Sequence, residues 1–185
     1  MFIGHFAVGF AAKRFAPRSS EAVLLAAPVL ADMLWPVFLL LGWEQVRIDP
    51  GNTRYTPLDF VSYPWSHSLL MLCVWASAFG GIYYAITRCR AGYAITRYRA
   101  GAIAIWIGVV SHWVLDWVTH RPDMPLYPGG ARYGLGLWNS IAGTMVVEFL
   151  TFAVGVWISA LVASVVMIVW AWWFDRHLSA IEELA

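Results

Sequence analysis

The stretch Ser111-His112-Trp113-Val114-Leu115-Asp116-Trp117-Val118-Thr119-His120 sets two imidazoles and a carboxylate into a run otherwise apolar enough to lie in a bilayer. A helix turns once every 3.6 residues, so His112, Asp116 and His120, spaced i, i+4 and i+8, project from roughly one face. Ionisable side chains at membrane depth are costly, so they face a bundle interior and carry function. His5, Asp32, His67 and Glu148 are further candidates in or beside apolar runs. Each alone has a plain structural reading. Asp32 or Glu148 can pair with an arginine, His120-Arg121-Pro122-Asp123 can be a polar loop, and Ser66 and Ser68 can be a cap and a turn. Together they are harder to dismiss, because the long apolar runs hold no Lys or Arg and an uncompensated buried carboxylate costs several kcal/mol. A divalent ion removes that cost, and a His/Asp set without thiolates suits Zn²⁺, Mn²⁺ or Fe²⁺.

The elements that must position these residues follow from composition. With 61% hydrophobic and 12% charged residues among 185, and twelve tryptophans, the chain is far less charged than a soluble domain at about 25%. It reads as an all-α integral membrane protein forming one membrane domain over residues 1–185. Four runs, at about 22–43, 69–86, 101–119 and 149–174, reach the roughly 17 to 25 residues that a bilayer core requires; residues 2–15 predict a shorter N-terminal helix. Ser19 or Ser20 would cap the helix that follows. A nine-residue segment from Tyr84 is repeated in tandem from Tyr93, with Cys89 replaced by Tyr98, and reads as a lengthened loop. Cys73 and Cys89 support neither a disulfide framework nor a thiolate metal site. The net charge of +1 speaks against a nucleic-acid partner. No charged leader precedes the first apolar run, so Met1 is expected to be retained.

Orientation and depth come next. If the spans alternate, Lys13, Arg14, Arg18, Arg88, Arg90, Arg97, Arg99 and Arg176 share one side and Arg47, Arg54, Arg121 and Arg132 the other. The richer side is expected to be cytoplasmic, which places the C-terminus inside and residues 44–66 and 120–144 outside. At 1.5 Å per residue, Asp32 rises about 15 Å from the inner end of its span and His112 about 16 Å, while a first helix descending to Lys13 would hold His5 at about 12 Å. Three segments thus reach the middle of a core about 30 Å thick. An amphipathic surface helix is the alternative for residues 2–15. His67 joins the set if its loop dips inward, which Pro64 at a helix start permits. Arg121 and Arg132, on the outer loop, are candidates for gripping a phosphate, or equally for headgroup contact.

Met1-Phe-Ile-Gly-His5-Phe, Ala31-Asp32-Met-Leu-Trp-Pro36, Trp65-Ser-His67-Ser-Leu69 and Ser111-His112-Trp-Val-Leu-Asp116, in this order, resemble the bacterial membrane-bound metal-dependent hydrolases, the YdjM-like group. The resemblance runs from Met1 to about Glu148. That family is similar in motif order to the zinc phospholipases C and fungal zinc nucleases. The resemblance implies one metal held by Asp32, His67, His112 and Asp116, and a second held by His5 with Asp116 as bridge. Thr144 stands where a further histidine would precede Glu148, so His120 and Glu148 are treated as candidate ligands or supports.

The expectation is an inner-membrane enzyme with two divalent ions, Zn²⁺ foremost and Mn²⁺ or Fe²⁺ as alternatives, hydrolysing a phosphoester in a lipid or lipid-linked substrate. The site would open to the outer side, and Asp32 and Asp116 would carry the chemistry, Asp116 as bridge and Asp32 orienting water or taking its proton. The alternative is a divalent-ion carrier or sensor using the same ligands. HExxH, GxSxG and Walker A motifs do not occur.

Overall fold

Nearly every apolar run becomes helix, with one break that matters for the chemistry. The computed structural model describes residues 1–91 and 96–182. It contains α1 (Gly4–Phe15), α2 (Glu21–Ala26), α3 (Leu30–Leu40), α4 (Pro64–His67), α5 (Leu69–Ala91), α6 (Thr96–Thr119) and α7 (Ile141–Glu182). Among the described residues, four stretches, Glu21–Leu40, Leu69–Arg88, Tyr98–Thr119 and Ile141–Leu161, are long and apolar enough to cross a membrane.

The first of these stretches is not the single helix expected over 22–43. Pro28 has no N–H to give, and its ring crowds the carbonyl four residues back. Residues Ala27–Val29 therefore tighten into a 3-10 turn between α2 and α3. The second helix ends at Leu40, where Gly42 adopts φ 74° and the N–H groups of Trp43 and Glu44 return to the Phe38 carbonyl at 2.9 and 3.2 Å. Ser20 occupies the start of α2 without a capping hydrogen bond from its side chain. Ser19 instead meets the Tyr83 hydroxyl at 2.8 Å.

Two other boundaries also differ from expectation. The last helix begins at Ile141 rather than 149, because Ser140 Oγ accepts the Gly143 N–H at 3.1 Å and caps it. Glu148 therefore lies about two turns inside α7 instead of at its start. The tandem repeat extends α5 through Ala91 and begins α6 at Thr96, so most of it lengthens two helices rather than a loop. Residues 92–95 of the repeat, and residues 183–185 of the tail, lie outside the described residues.

The loops between the helices carry strands, which corrects the all-α reading to a mostly helical one. β1 (Gln45–Ile48) pairs antiparallel with β2 (Leu58–Ser62), and β3 (Met124–Pro125) with β4 (Arg132–Tyr133). Phe60, Tyr63 and Met124 from these loops form a small apolar cluster with Trp113 and Trp138. That cluster packs beside the ligand-bearing end of α6.

The larger core joins α2, α5 and α6 through Leu24, Ala27, Leu72, Ile105 and Val109. A Cβ on Gly108 would meet Ala27 Cβ at 3.1 Å, so α6 passes close to the 3-10 turn one helical turn before His112. The first helix packs on α7 and α6. Residues from Val8 to Phe15 share a groove with residues from Ala100 to Ile107, while His5 lies at Asp116. α1 is therefore antiparallel to α6 and is packed among the long helices rather than lying apart from them.

Candidate metal centre

Four elements deliver the predicted ligands to one place. His112 and Asp116 lie one turn apart on α6 and His120 follows its last turn, while α1 brings His5, α3 brings Asp32 and α4 brings His67. His112 Nε2 is 3.1 Å from Asp116 Oδ2 and 3.8 Å from Asp32 Oδ1. His5 Nε2 is 3.1 Å from Asp116 Oδ1, and His67 Nε2 is 3.5 Å from Asp32 Oδ1. His120 Nε2 stands 3.6 Å from Asp116 Oδ2. Four tetrahedral ligands at 2.0–2.2 Å from an ion are about 3.3–3.6 Å apart, so these separations suit ligands that share ions.

Among the described residues, two three-residue groups could hold a metal: His5, His112 and Asp116, and Asp32, His67 and His112, with the ligand atoms of each group within 4.8 Å of one another. His112 belongs to both groups, yet its Nε2 can ligate only one ion. The rings of His5 and His112 stack at 4.0 Å. Both are fully buried, and among the described residues His112 Nε2 has no hydrogen-bond partner. An unsatisfied buried polar atom costs about 1–3 kcal/mol, and a cation between this nitrogen and the two carboxylates would remove that cost. The donor set fits a divalent metal.

The groups behind the ligands fix which nitrogen faces inward. His112 Nδ1 lies 2.8 Å from the Pro28 carbonyl oxygen in the 3-10 turn, which only accepts, so Nδ1 carries the proton and Nε2 the lone pair. His120 Nδ1 lies 3.0 Å from Asp123 Oδ1, which also accepts from the Tyr63 hydroxyl at 2.6 Å. Burial pushes the His120 imidazole below its ordinary value and thus toward the neutral, ligating form. For Asp123, burial alone would raise the carboxyl; hydrogen bonding and charge from His120, with hydrogen bonds from Tyr63 and Arg121, outweigh it and hold the group below the usual carboxylate range. Burial, and then the Asp123 charge, push the Tyr63 phenol well up, so it remains a donor.

Other predicted site residues are placed differently. Glu148 accepts the Phe2 N–H at 2.6 Å and the Gly4 N–H at 2.8 Å, one on each oxygen. It therefore holds the start of the helix that carries His5. The Met1 amino group donates to Asp116 and, at 2.9 Å, to Thr119. Thr144 spends its hydroxyl on the carbonyls of Leu137 and Ser140. Arg121 is bound to Asn52, Asp59 and Asp123, and Arg132 donates to the Val61 carbonyl at 3.2 Å. Neither arginine is among the residues lining the cavity beside the ligands. That cavity, about 540 Å³, is lined by Asp32, His67, Asp116 and His120 together with Trp35, Pro36, Phe60 and Trp138. Its volume is in the range of small-molecule sites.

Residues missed in the sequence are mainly supports: Pro28, Tyr63 and Asp123. Only Asp123 had a local signal, its three-residue spacing from His120. Compared with protein-family models, with curated proteins and with solved structures, the chain gives no match.

Proposed function

We propose that the protein is a membrane-embedded, metal-dependent hydrolase acting on a phosphoester in a lipid or lipid-linked substrate. The observation that carries this reading is the convergence of four imidazole Nε2 atoms on two carboxylates beside a cavity whose lining also holds apolar side chains. His5, Asp32, His67, His112 and Asp116 would hold two divalent ions. Once bound, these would supply Lewis acidity that acidifies water and offsets charge on phosphoryl oxygens. Asp32, with 46% of its side chain exposed, is the carboxylate placed to take a proton from water in the cavity. Asp116, buried among three histidines, would hold metal rather than take a proton from water. Trp35, Pro36 and Phe60 would exclude bulk water and hold an apolar chain.

A lipid substrate also accords with the surface. Leu40, Ile82, Ile107, Val114, Leu150 and Val154 are half exposed or more on the long helices, a degree of uncovering that suits contact with lipid. Lys13, Arg14, Arg18, Arg88 and Arg99 lie near the helix ends remote from the ligands, a distribution that supports a bacterial inner-membrane protein with that end in the cytoplasm and the site toward the outer side. In a background lacking Cys73 and Cys89, a cysteine at Gly129 should be labelled in intact cells by an impermeant reagent, and one at Arg18 protected. The reverse pattern would overturn the orientation.

The test of function is metal-dependent release of phosphate or a phosphorylated headgroup from phospholipid, lipid-linked phosphate and soluble phosphoester substrates. The expected result is turnover of membrane substrates that ends on chelation and returns with zinc, manganese or iron. No turnover across the panel, with uptake of zinc or manganese into protein-containing vesicles, would replace the hydrolase by a carrier.

A further inference from the structure

Glu44 is a carboxylate that the metal reading leaves without a task. It is 3% exposed, and among the described residues the hydrogen bonds of its side chain go to Ser66. Its position is set by the end of α3, where the chain turns through Gly42 and both Trp43 and Glu44 bond to the Phe38 carbonyl. Glu44 Oε1 accepts the Ser66 N–H at 2.7 Å, and Oε2 lies 2.7 Å from the Ser66 hydroxyl oxygen. The same hydroxyl oxygen is 2.6 Å from His67 Nδ1. A short chain of contacts thus runs from Glu44 through Ser66 to His67.

Proton counting gives this chain a direction. A carboxylate only accepts, so the single hydroxyl proton of Ser66 goes to Glu44 Oε2. Ser66 Oγ must then accept in its contact with His67, which puts a proton on Nδ1. The lone pair of the neutral ring is left on Nε2, the nitrogen 3.5 Å from Asp32 Oδ1. Reversing the chain, with Ser66 donating to Nδ1, would place a proton on Nε2 and block it as a ligand. His112 and His120 receive the same service from a carbonyl and a carboxylate directly. His67 receives it through a hydroxyl, and the acceptor that decides the outcome is one residue further out.

We infer that Glu44 is a positioning residue which, through Ser66, sets the tautomer and aim of His67 toward the metal beside Asp32. The inference rests on the reading of His67 as a ligand. It also accounts for a buried carboxylate without a cation: two short charge-assisted hydrogen bonds compensate its desolvation, and the function is exercised at His67.

Glu44→Gln is nearly isosteric and reverses the chain. The amide oxygen takes the Ser66 N–H, the amide nitrogen donates to Ser66 Oγ, and the hydroxyl proton turns to His67 Nδ1. Zinc affinity, read by competition with a chelator, should fall about tenfold to a hundredfold, as for other supports of metal-bound histidine. In the metal-free protein, the ring nitrogen shifts of His67 should change from the Nδ1–H to the Nε2–H pattern, a change that a purely structural role would not produce. Ser66→Ala should lose comparable affinity, and Glu44→Gln should add little in its presence, because both act on one path. If Glu44→Gln does not fold, Ser66→Ala with the same two measurements decides. Wild-type protein that binds zinc, with the folded variants binding equally and His67 unchanged, would overturn the role of Glu44 and leave the metal centre standing. Wild-type protein that binds no metal would overturn both.

Discussion

Asp116→Asn is expected to strip the protein of most of its metal, from two ions per chain to fewer than one. Both oxygens of Asp116 are engaged, Oδ1 3.1 Å from His5 Nε2 and Oδ2 3.1 Å from His112 Nε2, with His120 at 3.6 Å. An asparagine keeps the volume but offers N–H donors to those lone pairs. It thereby converts ligands into hydrogen-bonded neighbours. Elemental analysis after loading with zinc, manganese or iron reads the stoichiometry. A second readout is thermal: ligand bound only by the folded state stabilises it by about 2.7 kcal/mol at one hundred times Kd, so zinc should raise the wild-type Tm and leave the variant unmoved. The metal-free variant should be less stable than the metal-free wild type, since the buried Met1 ammonium that donates to Asp116 loses its anionic partner. Wild-type protein without bound metal after loading would end the two-ion reading.

Local periodicity made the centre of this site legible, whereas hydrogen bonds across the fold were not. The i, i+4 spacing of His112 and Asp116 set them on one helix face, and a rise of 1.5 Å per residue brought His5, Asp32 and His112 to one level. Pro64 does start the one-turn helix that carries His67 inward. What stayed hidden depended on partners distant in sequence. Glu148 meets Phe2 and Gly4 across more than 140 residues, and nothing near Glu148 marks it as a clamp rather than a ligand. Arg121 has the look of a phosphate site on a loop, yet Asp59 and Asn52, from the loop before α4, occupy its guanidinium. The break at Pro28 was readable in principle, because proline cannot continue a helix hydrogen-bond ladder. Hydropathy averaged over the run concealed it. The early start of α7 had a local signal too, Ser140 three residues before Gly143, but it lay in a stretch read as loop.

Gly155→Leu is expected to cost metal without touching a ligand. An ideal Cβ at Gly155 would collide with the backbone Cα, C and O atoms of Ala7. Backbone atoms have no alternative rotamer, so α1 must move away from α7. Membrane helices approach this closely only through small residues. Gly155 lies seven residues after Glu148, two turns along one face of α7. That face seats α1 twice, with Glu148 fixing its first N–H groups and Gly155 permitting its approach. Gly9 does the same toward α2, since a Cβ there would meet the Leu24 carbonyl oxygen at 2.7 Å. His5 rides on α1, and a displacement of about 1 Å is large against a metal–nitrogen bond of about 2.0–2.1 Å. The ion proposed between His5 and Asp116 should therefore be lost, leaving about half the wild-type metal, with a stability cost of about 1–3 kcal/mol for the overpacked contact. Gly81→Leu is the control. A Cβ at Gly81 meets nothing within 4 Å, so this variant should keep both metal and Tm. If Gly155→Leu matched it in metal content and melting, α1 would not be seated on α7 as described, and His5 would drop out of the ligand set.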